Sequence, residues 1–370
     1  MGEIDRDLWA GRRVFVTGHT GFKGAWLVLV LARLGAVVRG YALAPHTEPN
    51  LFNAAAIGDV CEHAIGDVRD SAALAEEMRQ FRPEIVFHLA AQSLVRQSYR
   101  EPLVTLETNV MGTANLLEAC RFSEGLRAVV NVTTDKCYED RDWVWGYRET
   151  DRLGGNDPYS GSKACAELVT TTYRQSFFNS TDHDRHGVTV ASARAGNVIG
   201  GGDWNDDRII PDAVRAFTQG HSLAVRNPDA TRPWQHVLDP LFGYLVLAQA
   251  CVRDGPEFGR GWNFGPGERQ LATVRDLVEG FRVRWAERAA WHVQEKGDDF
   301  RESHILLLDS SLARDKLGWT PRFDIDESLD LTEEWYSAHR LGGAKQELRA
   351  LAEGQIDRYL EASNGNRGDD

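Results

Sequence analysis

The first half of the chain alternates short apolar runs with longer segments of helical periodicity. The apolar runs are rich in β-branched residues and predict strands at Arg13–Thr17, Ala36–Tyr41, Glu84–His88, Arg127–Val132 and Val188–Ala193. Helical segments are expected between them, for example at Ala25–Leu34, Ser71–Gln80 and Gly112–Cys120. Strands that are apolar throughout and alternate with helices are typical of a parallel sheet covered on both faces. We therefore predict an α/β fold with a doubly wound, Rossmann-like parallel sheet over residues 10–193.

The pattern changes after Arg194. Glycine and aspartate become dense at Gly200–Asp203, and mixed short elements rich in Trp, Pro and Arg follow. We expect a smaller C-terminal lobe over residues 194–345 that covers the carboxyl ends of the strands, with a segment near 235–260 returning to the first domain. Residues 346–370 are predicted to form a C-terminal helix and a polar, frayed tail.

Charge and composition exclude some classes of partner. The chain has 370 residues, 42% of them hydrophobic and 26% charged, as in an ordinary globular enzyme. A net charge of −13 argues against nucleic acid or an anionic membrane, because a basic patch would have to overcome that field. A small ligand that carries phosphate stays compatible with this charge.

The cysteines and the N-terminus bear on compartment. Five cysteines are scattered without a CxxC motif, which predicts a reduced protein with no metal site. Residues 1–7 contain no apolar core of a signal peptide. The apolar stretch Ala25–Val38 is interrupted by Arg33 and is shorter than the ~20 residues that a bilayer span requires. We expect a cytoplasmic protein.

A glycine-spaced turn follows the first predicted strand. Gly18, Gly21 and Gly24 form a GxxGxxG pattern that leads into the apolar helix. Glycine permits the dihedral angles of the turn and a close approach to a pyrophosphate, to which the helix N-terminus offers free N–H groups. An ordinary strand–turn–helix with glycines for packing is the alternative. The second strand ends without the acidic residue expected there, and Arg39 could face an adenosine phosphate or solvent, so this loop leaves NAD and NADP both open.

Two further segments fit a dinucleotide site. Asp67 is expected at a strand end, where its carboxylate could accept a hydrogen bond from an adenine amino group. Another strand ends in Leu89-Ala90-Ala91, whose small side chains permit a flat cofactor to approach the backbone. A helix N-cap at Asp70 and simple tight packing of the alanines are the alternatives.

The segment around Tyr159 is the most informative. Asp157 is a good N-cap and Pro158 suits the first helical position, so a helix is predicted to begin here. Tyr159 and Lys163 then lie one turn apart on the same face. An ammonium near a phenol favours the phenolate and should lower a pKa that is ordinarily about 10. Such a tyrosine can take a proton from a hydroxyl as hydride leaves the same carbon.

A polar cluster follows the buried strand that ends at Val132. Thr134 could hydrogen-bond a reacting hydroxyl, and Asp135 and Lys136 place an acid and a potential base side by side. The alternative is an exposed ion pair, worth ~0–1 kcal/mol. We favour a catalytic cluster, because doubly wound sheets place their chemistry at this edge.

Together these residues resemble the sugar-nucleotide branch of the extended short-chain dehydrogenase/reductase family, from Gly11 to about Tyr336. More narrowly, the chain is similar to the CDP-glucose 4,6-dehydratases of that branch. The similar strings are Thr17–Gly24, Thr134–Tyr138, Trp143–Glu149, Arg194–Trp204 and Arg232–Val237.

The resemblance implies a lyase that acts on CDP-glucose with NAD. Tyr159 would deprotonate the 4-hydroxyl while hydride leaves C4, water would be eliminated across C5 and C6, and hydride would return to C6. Asp135 would protonate the departing 6-hydroxyl. Lys136 stands where related dTDP-glucose enzymes have a glutamate base, so the base for C5 stays open.

The resemblance also implies the other site residues and the assembly. The expected NAD-binding residues are Thr17, Gly18, Gly21, Phe22, Gly24, Asp67, Val68, Leu89, Ala90, Ala91, Thr108, Tyr159 and Lys163. The expected substrate-binding residues are Gln92, Thr134, Asn197 and Arg232. A homodimer or dimer of dimers is expected through helices near Pro102–Cys120 and Tyr159–Arg174. A nucleotide-sugar 4-epimerase or reductase on the same fold, or a non-catalytic NAD sensor or scaffold, are the alternatives.

Overall fold

This computed structural model describes residues 2–267, 271–285, 289–294 and 306–361. The β-strands are β1 (Arg13–Thr17), β2 (Val37–Ala42), β3 (Glu62–Ile65), β4 (Ile85–His88), β5 (Ala128–Val132), β6 (Thr189–Ala195), β7 (Val198–Ile199), β8 (Ser222–Val225), β9 (Thr231–Arg232), β10 (Gln235–His236), β11 (Gly261–Phe264), β12 (Ala272–Thr273) and β13 (Ala290–Val293). The α-helices are α1 (Arg6–Trp9), α2 (Phe22–Arg33), α3 (Leu51–Ala54), α4 (Ser71–Phe81), α5 (Val95–Arg100), α6 (Pro102–Leu106), α7 (Gly112–Arg121), α8 (Pro158–Ser176), α9 (His183–His186), α10 (Ile209–Thr218), α11 (Leu238–Arg253), α12 (Val274–Trp285), α13 (Ile325–Arg340) and α14 (Lys345–Glu361).

The central sheet confirms the predicted doubly wound architecture. Its strands run in the order β11-β6-β5-β4-β1-β2-β3, and every neighbouring pair is parallel. The chain first builds outward from β1 to β3, and then returns to β4 on the other side of β1. The crevice at the carboxyl ends of β1 and β4, where the order reverses, is where such sheets bind ligands.

Helices cover both faces of the sheet. Val14 and Val16 of β1 pack in one hydrophobic cluster with the apolar side chains of α2 and α11. Phe15, which points to the opposite face, packs in a second cluster with residues of α4 and α7. Because strand side chains alternate between faces, a strand that is apolar throughout supports both layers.

The segment after β10 returns to the sheet. Helix α11 packs on β5 and β6, and β11 then pairs with β6 in parallel, with Gly261 opposite Ser192. Farther along, α14 packs on α2, where Arg33 and Asp357 form an ion pair at 2.6 Å. The division into lobes at residues 193/194 and 345/346 stays a prediction. The predicted polar tail at 362–370 lies outside the described residues.

None of the helices in the described part of the chain combines the length and apolar character that crossing a bilayer requires. Among these residues, there is also no group of three or more His, Cys, Asp or Glu side chains arranged to hold a metal ion.

Candidate active site

The glycine turn lies at the carboxyl end of β1. Gly18 has φ +78°, and a Cβ there would lie 2.7 Å from the backbone nitrogen of Ala90. A Cβ on Gly24 would overlap the carbonyl of Gly18. Gly21 precedes α2 as an N-cap without a side-chain hydrogen bond, and Phe22 is the first residue of the helix. The glycines therefore serve both packing and an open helix N-terminus, which is the geometry that a pyrophosphate requires.

Thr17 joins the ends of β1 and β4 behind this turn. Its Oγ1 accepts hydrogen bonds from the backbone N–H groups of Leu89 and Ala90, both at 3.2 Å, and lies 2.7 Å from His88 Nδ1. Leu89, Ala90 and the next residue, Ala91, are half-buried. The predicted small-residue edge thus lies directly against the glycine turn.

Arg39, for which a phosphate contact or exposure to solvent was considered, is engaged by two carboxylates. Its Nε donates to Glu62 at 3.0 Å and its Nη1 donates to Glu77 at 2.9 Å, while its guanidinium lies 5.3 Å from the ring centroid of Phe81. The side chain is thus held on the sheet by two carboxylates.

Asp67 lies two residues beyond β3 and pairs with Arg69. Its carboxylate accepts from the Arg69 backbone N–H and Nε, each at 2.9 Å, and hydrogen bonding by Arg69 lowers its pKa. Asp70 is the N-cap of α4 and accepts from Ala73 N at 3.0 Å, as the alternative interpretation of this segment predicted. The role of Asp67 toward adenine stays a prediction.

Val68 and Thr108 lie farther along the same edge. Val68 is buried, and a Cβ on Gly112 of α7 would meet its side chain at 2.7 Å. Thr108 is half-buried in the π-helical turn Glu107–Met111, which joins α6 to α7.

Helix α8 begins as predicted and positions Tyr159. Asp157 accepts from Ser160 N at 2.9 Å, and Pro158 is the first helical residue. The backbone N–H of Tyr159 donates to Ser98 Oγ of α5 at 3.1 Å. Burial raises the pKa of Tyr159 to about 12, and the nearby Thr134 hydroxyl only partly offsets this effect.

The structure differs from the expectation that Lys163 lowers the pKa of Tyr159. Lys163 Nζ donates to the carbonyl of Val132 at the end of β5, at 3.3 Å. Burial lowers the pKa of Lys163 to about 8, and the negative charge of Glu167 opposes that shift. The expected depression of the tyrosine pKa was wrong, because desolvation of the phenolate dominates at this depth.

Thr134, Asp135 and Lys136 form a tight turn at the end of β5. Thr134 Oγ1 accepts from Lys136 N at 3.4 Å and donates to Asp135 Oδ1 at 3.0 Å. Asp135 is 2% exposed, and its Oδ2 has no hydrogen-bond partner in the described part of the chain. A Cβ on Gly196 would lie 2.9 Å from that oxygen. Burial raises the pKa of Asp135, so this group is not the exposed ion pair considered as the alternative.

The predicted substrate residues Gln92, Asn197 and Arg232 lie in three different segments of the chain. The amide of Gln92 is engaged within its own loop, since Nε2 donates to Thr105 Oγ1 at 2.9 Å and Oε1 accepts from Leu94 N at 2.6 Å. Asn197 is half-buried, and its carbonyl accepts from Gln235 N at 3.2 Å. The charge of Arg232 acts to lower the pKa of Asp135, and Arg232 Nη1 donates to the carbonyl of Thr231 at 3.1 Å.

Comparison with known proteins identifies the family. A family model described as GDP-mannose 4,6 dehydratase matches residues 15–332. The chain is 48% identical over 360 residues to the CDP-glucose 4,6-dehydratase of Salmonella typhimurium, covering 97% of this chain and 99% of that protein. The chain belongs to the sugar-nucleotide 4,6-dehydratases of the extended short-chain dehydrogenase/reductase family.

Two further comparisons agree with this membership. The dTDP-glucose 4,6-dehydratase of Streptomyces antibioticus is 31% identical over 344 residues, which cover 88% of this chain and 93% of that protein. A solved dTDP-glucose 4,6-dehydratase of Streptomyces venezuelae, with NAD bound, has a TM-score of 0.72 and 26% identity, covering 89% of this chain and 98% of that one.

In this 4,6-dehydratase family member, Lys23 is a charged residue of the site that sequence reasoning missed. Burial lowers the pKa of Lys23 to about 8, and the charges of Arg208 and Lys163 act in the same direction while Asp135 opposes them. Lys23 is therefore within electrostatic range of Asp135 and Lys163. A lysine in the first turn of an otherwise apolar helix was the signal that could have revealed it.

Asn109 was also missed. It is 1% exposed, and its Nδ2 donates to Gln92 O at 2.9 Å and to Ser162 Oγ at 2.8 Å. Asn109 thus ties the loop after β4 to α8. Nothing in its sequence surroundings distinguishes it from a solvent-facing helical asparagine.

Proposed function

We propose that this protein is an NAD-dependent CDP-glucose 4,6-dehydratase, which forms CDP-4-dehydro-6-deoxyglucose for deoxysugar biosynthesis. The observation that carries the proposal is Asp135, a buried carboxyl with one unpartnered oxygen among the described residues, beside Thr134 at the end of β5. Elimination of a hydroxyl needs such an acid, whereas epimerisation does not. The choice of nucleotide rests on the Salmonella relative.

The glycine turn fits the dinucleotide. Side chains on Gly18 or Gly24 would fill the turn, and the first N–H groups of α2 remain available for a pyrophosphate. Thr17, Gly21, Phe22, Asp67, Val68, Leu89, Ala90, Ala91 and Thr108 would complete the site. Since Arg39 is held by two carboxylates, β2 offers no arginine to a 2′-phosphate, which favours NAD over NADP. When bound, NAD supplies a hydride acceptor for sugar C4 and later a hydride donor for C6.

Tyr159 serves as the base for the 4-hydroxyl. With a pKa of about 12, the phenol stays protonated at neutral pH, so its proton must be passed on as the sugar proton is accepted. The charge of Arg208 favours the phenolate, and Thr134 places a hydroxyl beside it. We propose that the neutral fraction of Lys163, whose pKa is lowered to about 8, takes up the phenol proton as Tyr159 accepts the proton of the 4-hydroxyl.

Asp135 serves as the acid for the 6-hydroxyl. Its pKa is raised by burial, which favours the protonated form that a proton donor requires. Once C4 is a ketone, the C5 proton becomes acidic and the 6-hydroxyl leaves as water with the proton of Asp135. Lys136 follows Asp135 in the turn, and it, or a water that it orients, removes the C5 proton.

Substrate binding and assembly complete the proposal. Asn197 and Arg232 bind the nucleotide diphosphate, and arginine suits this role through charge-assisted, bidentate contacts. Two copies of the chain associate through α6, α7 and α8, where Leu103 is 71% exposed and Leu168 is 55% exposed. We propose a homodimer or a dimer of dimers in the cytoplasm, with neither nucleic acid nor membrane as a partner.

The decisive assay offers the protein CDP-glucose and dTDP-glucose in parallel. A 4-keto-6-deoxy sugar absorbs in the ultraviolet in alkali, and we expect this signal with CDP-glucose. Deuterium at C4 of the glucose should be recovered at C6 of the product. Formation of a 4-epimer with no keto product would show that the protein acts as an epimerase and not as a dehydratase.

A further inference from the structure

Two arginines from distant parts of the chain meet on one aspartate. Asp207 Oδ1 lies 3.4 Å from Arg96 Nη1 and 3.5 Å from Arg226 Nη2. Arg96 lies on α5, Asp207 lies just before α10, and Arg226 directly follows β8. A carboxylate between two guanidinium groups offsets their mutual repulsion, so Asp207 holds this cluster together.

The cluster adjoins the catalytic helix. Helix α5, which carries Arg96, packs on α8, and its Ser98 accepts the backbone N–H of Tyr159 at 3.1 Å. On the other side, Arg208 follows Asp207 directly, and the charge of Arg208 acts to lower the pKa of Tyr159. Helix α5 therefore connects Arg96 with the residue that we assign to the sugar, and Asp207 is the chain neighbour of Arg208.

The ion pairs that Asp207 forms with Arg96 and Arg226 are weak enough for another anion to replace Asp207. The side chains of Arg96, Asp207 and Arg226 are 28%, 34% and 33% exposed, and their charged atoms are separated by more than an ideal hydrogen bond. Ion pairs with such access to solvent contribute little to stability. Asp207 also has φ +58°, a left-handed conformation that aspartate tolerates better than most residues and that needs support from its surroundings.

We propose that Arg96 and Arg226 bind the diphosphate of the sugar nucleotide and that Asp207 competes with that diphosphate for them. This inference rests on the proposed function, because its ligand is the sugar nucleotide of that function. A diphosphate carries more charge and more acceptor oxygens than a carboxylate, and guanidinium groups bind it with paired N–H contacts. Asp207 thus holds the two arginines together when no ligand is bound, and lowers the affinity for substrate and product.

The test compares Asp207→Asn with wild type by calorimetric titration of CDP. Asparagine keeps the size of the side chain and tolerates the left-handed backbone, but it removes the competing charge. We expect CDP to bind about threefold to tenfold tighter, because one negative charge is removed from between two partly exposed arginines. Cytidine, which lacks phosphate, should bind as it does to wild type.

Matched variants separate the charge from other effects. Asp206→Asn alters the neighbouring carboxylate, which is 82% exposed and pairs with Arg215 at 3.4 Å, and should leave CDP affinity unchanged. Asp207→Gly removes the charge while fitting the same backbone, and should reproduce the gain. Arg96→Gln and Arg226→Gln should each weaken CDP binding about tenfold and abolish the gain in a double variant.

Two results would overturn the inference. Unchanged or weaker CDP binding in both Asp207 variants would show that Asp207 supports the fold of the site and does not compete. An equal gain for cytidine would show that the diphosphate is not the group concerned. Turnover of CDP-glucose by wild type is measured separately: if it is absent, the proposed function fails, whereas turnover without tighter CDP binding in the variants rejects only this inference.

Discussion

Glu167 binds Arg194 through both oxygens in the protein interior. Arg194 Nε and Nη2 donate to the carboxylate at 2.9 and 2.8 Å. The Glu167 side chain is 1% exposed and the Arg194 side chain is 5% exposed. Thr133 Oγ1 also donates to Glu167, at 2.6 Å. Because Glu167 lies one turn beyond Lys163, this ion pair joins α8 to the ends of β5 and β6.

Glu167→Gln should destabilise the protein strongly. The variant leaves the guanidinium of Arg194 buried without its counter-charge, and breaking such a pair typically costs about 3–5 kcal/mol. Urea unfolding should show this loss, and Glu167→Gln combined with Arg194→Met should recover part of it. Asp182→Asn, at the 58% exposed partner of Arg185, is the matched control and should change stability little. Equal small effects in both single variants would contradict the structural role.

Tyr159→Phe should abolish turnover while CDP-glucose still binds. The ring keeps its packing, but the oxygen that accepts the sugar proton is gone, and general base catalysis is commonly worth ~10²–10⁴-fold. Product formation and calorimetric binding are the two measurements. Tyr173→Phe on the same helix, where the hydroxyl donates to Glu118 at 3.1 Å, should retain activity. Near-normal turnover of Tyr159→Phe would refute the proposed base.

Asp135→Asn should oxidise C4 but stall before elimination. An amide cannot deliver a proton to the 6-hydroxyl, whereas C4 oxidation uses Tyr159 and Thr134. Reduced nicotinamide absorbance should therefore accumulate in the variant and be transient in wild type. Lys136→Met should behave similarly if Lys136 serves the C5 proton, and Asp184→Asn, on the surface of α9, is the control. Wild-type turnover in both active-site variants would favour the epimerase.

Asp239 should make stability depend on pH. It accepts from the Tyr359 hydroxyl at 2.8 Å and from Arg322 N at 2.7 Å, but burial raises its pKa to about 7. The pKa of Asp239 is about 4 in the unfolded chain and about 7 in the folded protein, so the folded protein binds the proton more tightly between these pH values. The stabilisation that this proton gives is full below about pH 4 and declines as pH rises to about 7.

Asp239→Asn, which cannot ionise, should flatten that part of the stability curve. Thermal unfolding of both proteins between pH 5 and 8 measures their difference in stability. This difference should grow in favour of the variant as pH rises. A constant offset across this range would show that Asp239 does not titrate there.

Leu103→Asp should disrupt the proposed homodimer. Leu103 is 71% exposed on α6, which packs beside α8, and a charge there would be desolvated at an interface. Light scattering should report a monomer for the variant. Leu341→Asp changes a leucine that is 82% exposed at the end of α13 and should stay dimeric. A wild-type protein that is monomeric and fully active would reject the dimer itself.

Local patterns in the sequence were enough to predict several elements of this protein. Strands β1, β4 and β5 are buried along nearly their whole length, so their apolar runs stand out. The start of α8 depends on Asp157 and Pro158, whose preferences act within one turn. The glycine turn was equally clear, because its spacing reflects steric limits of the turn itself.

Tertiary structure decided the rest. Strand β3 was not predicted because it lies at an edge and is mostly exposed, and β11 is recognisable only through its pairing with β6. The raised pKa values of Tyr159 and Asp135 come from desolvation by residues remote in sequence. Contacts such as Arg194 with Glu167, 27 positions apart, exist because the fold closes loops that no local preference encodes.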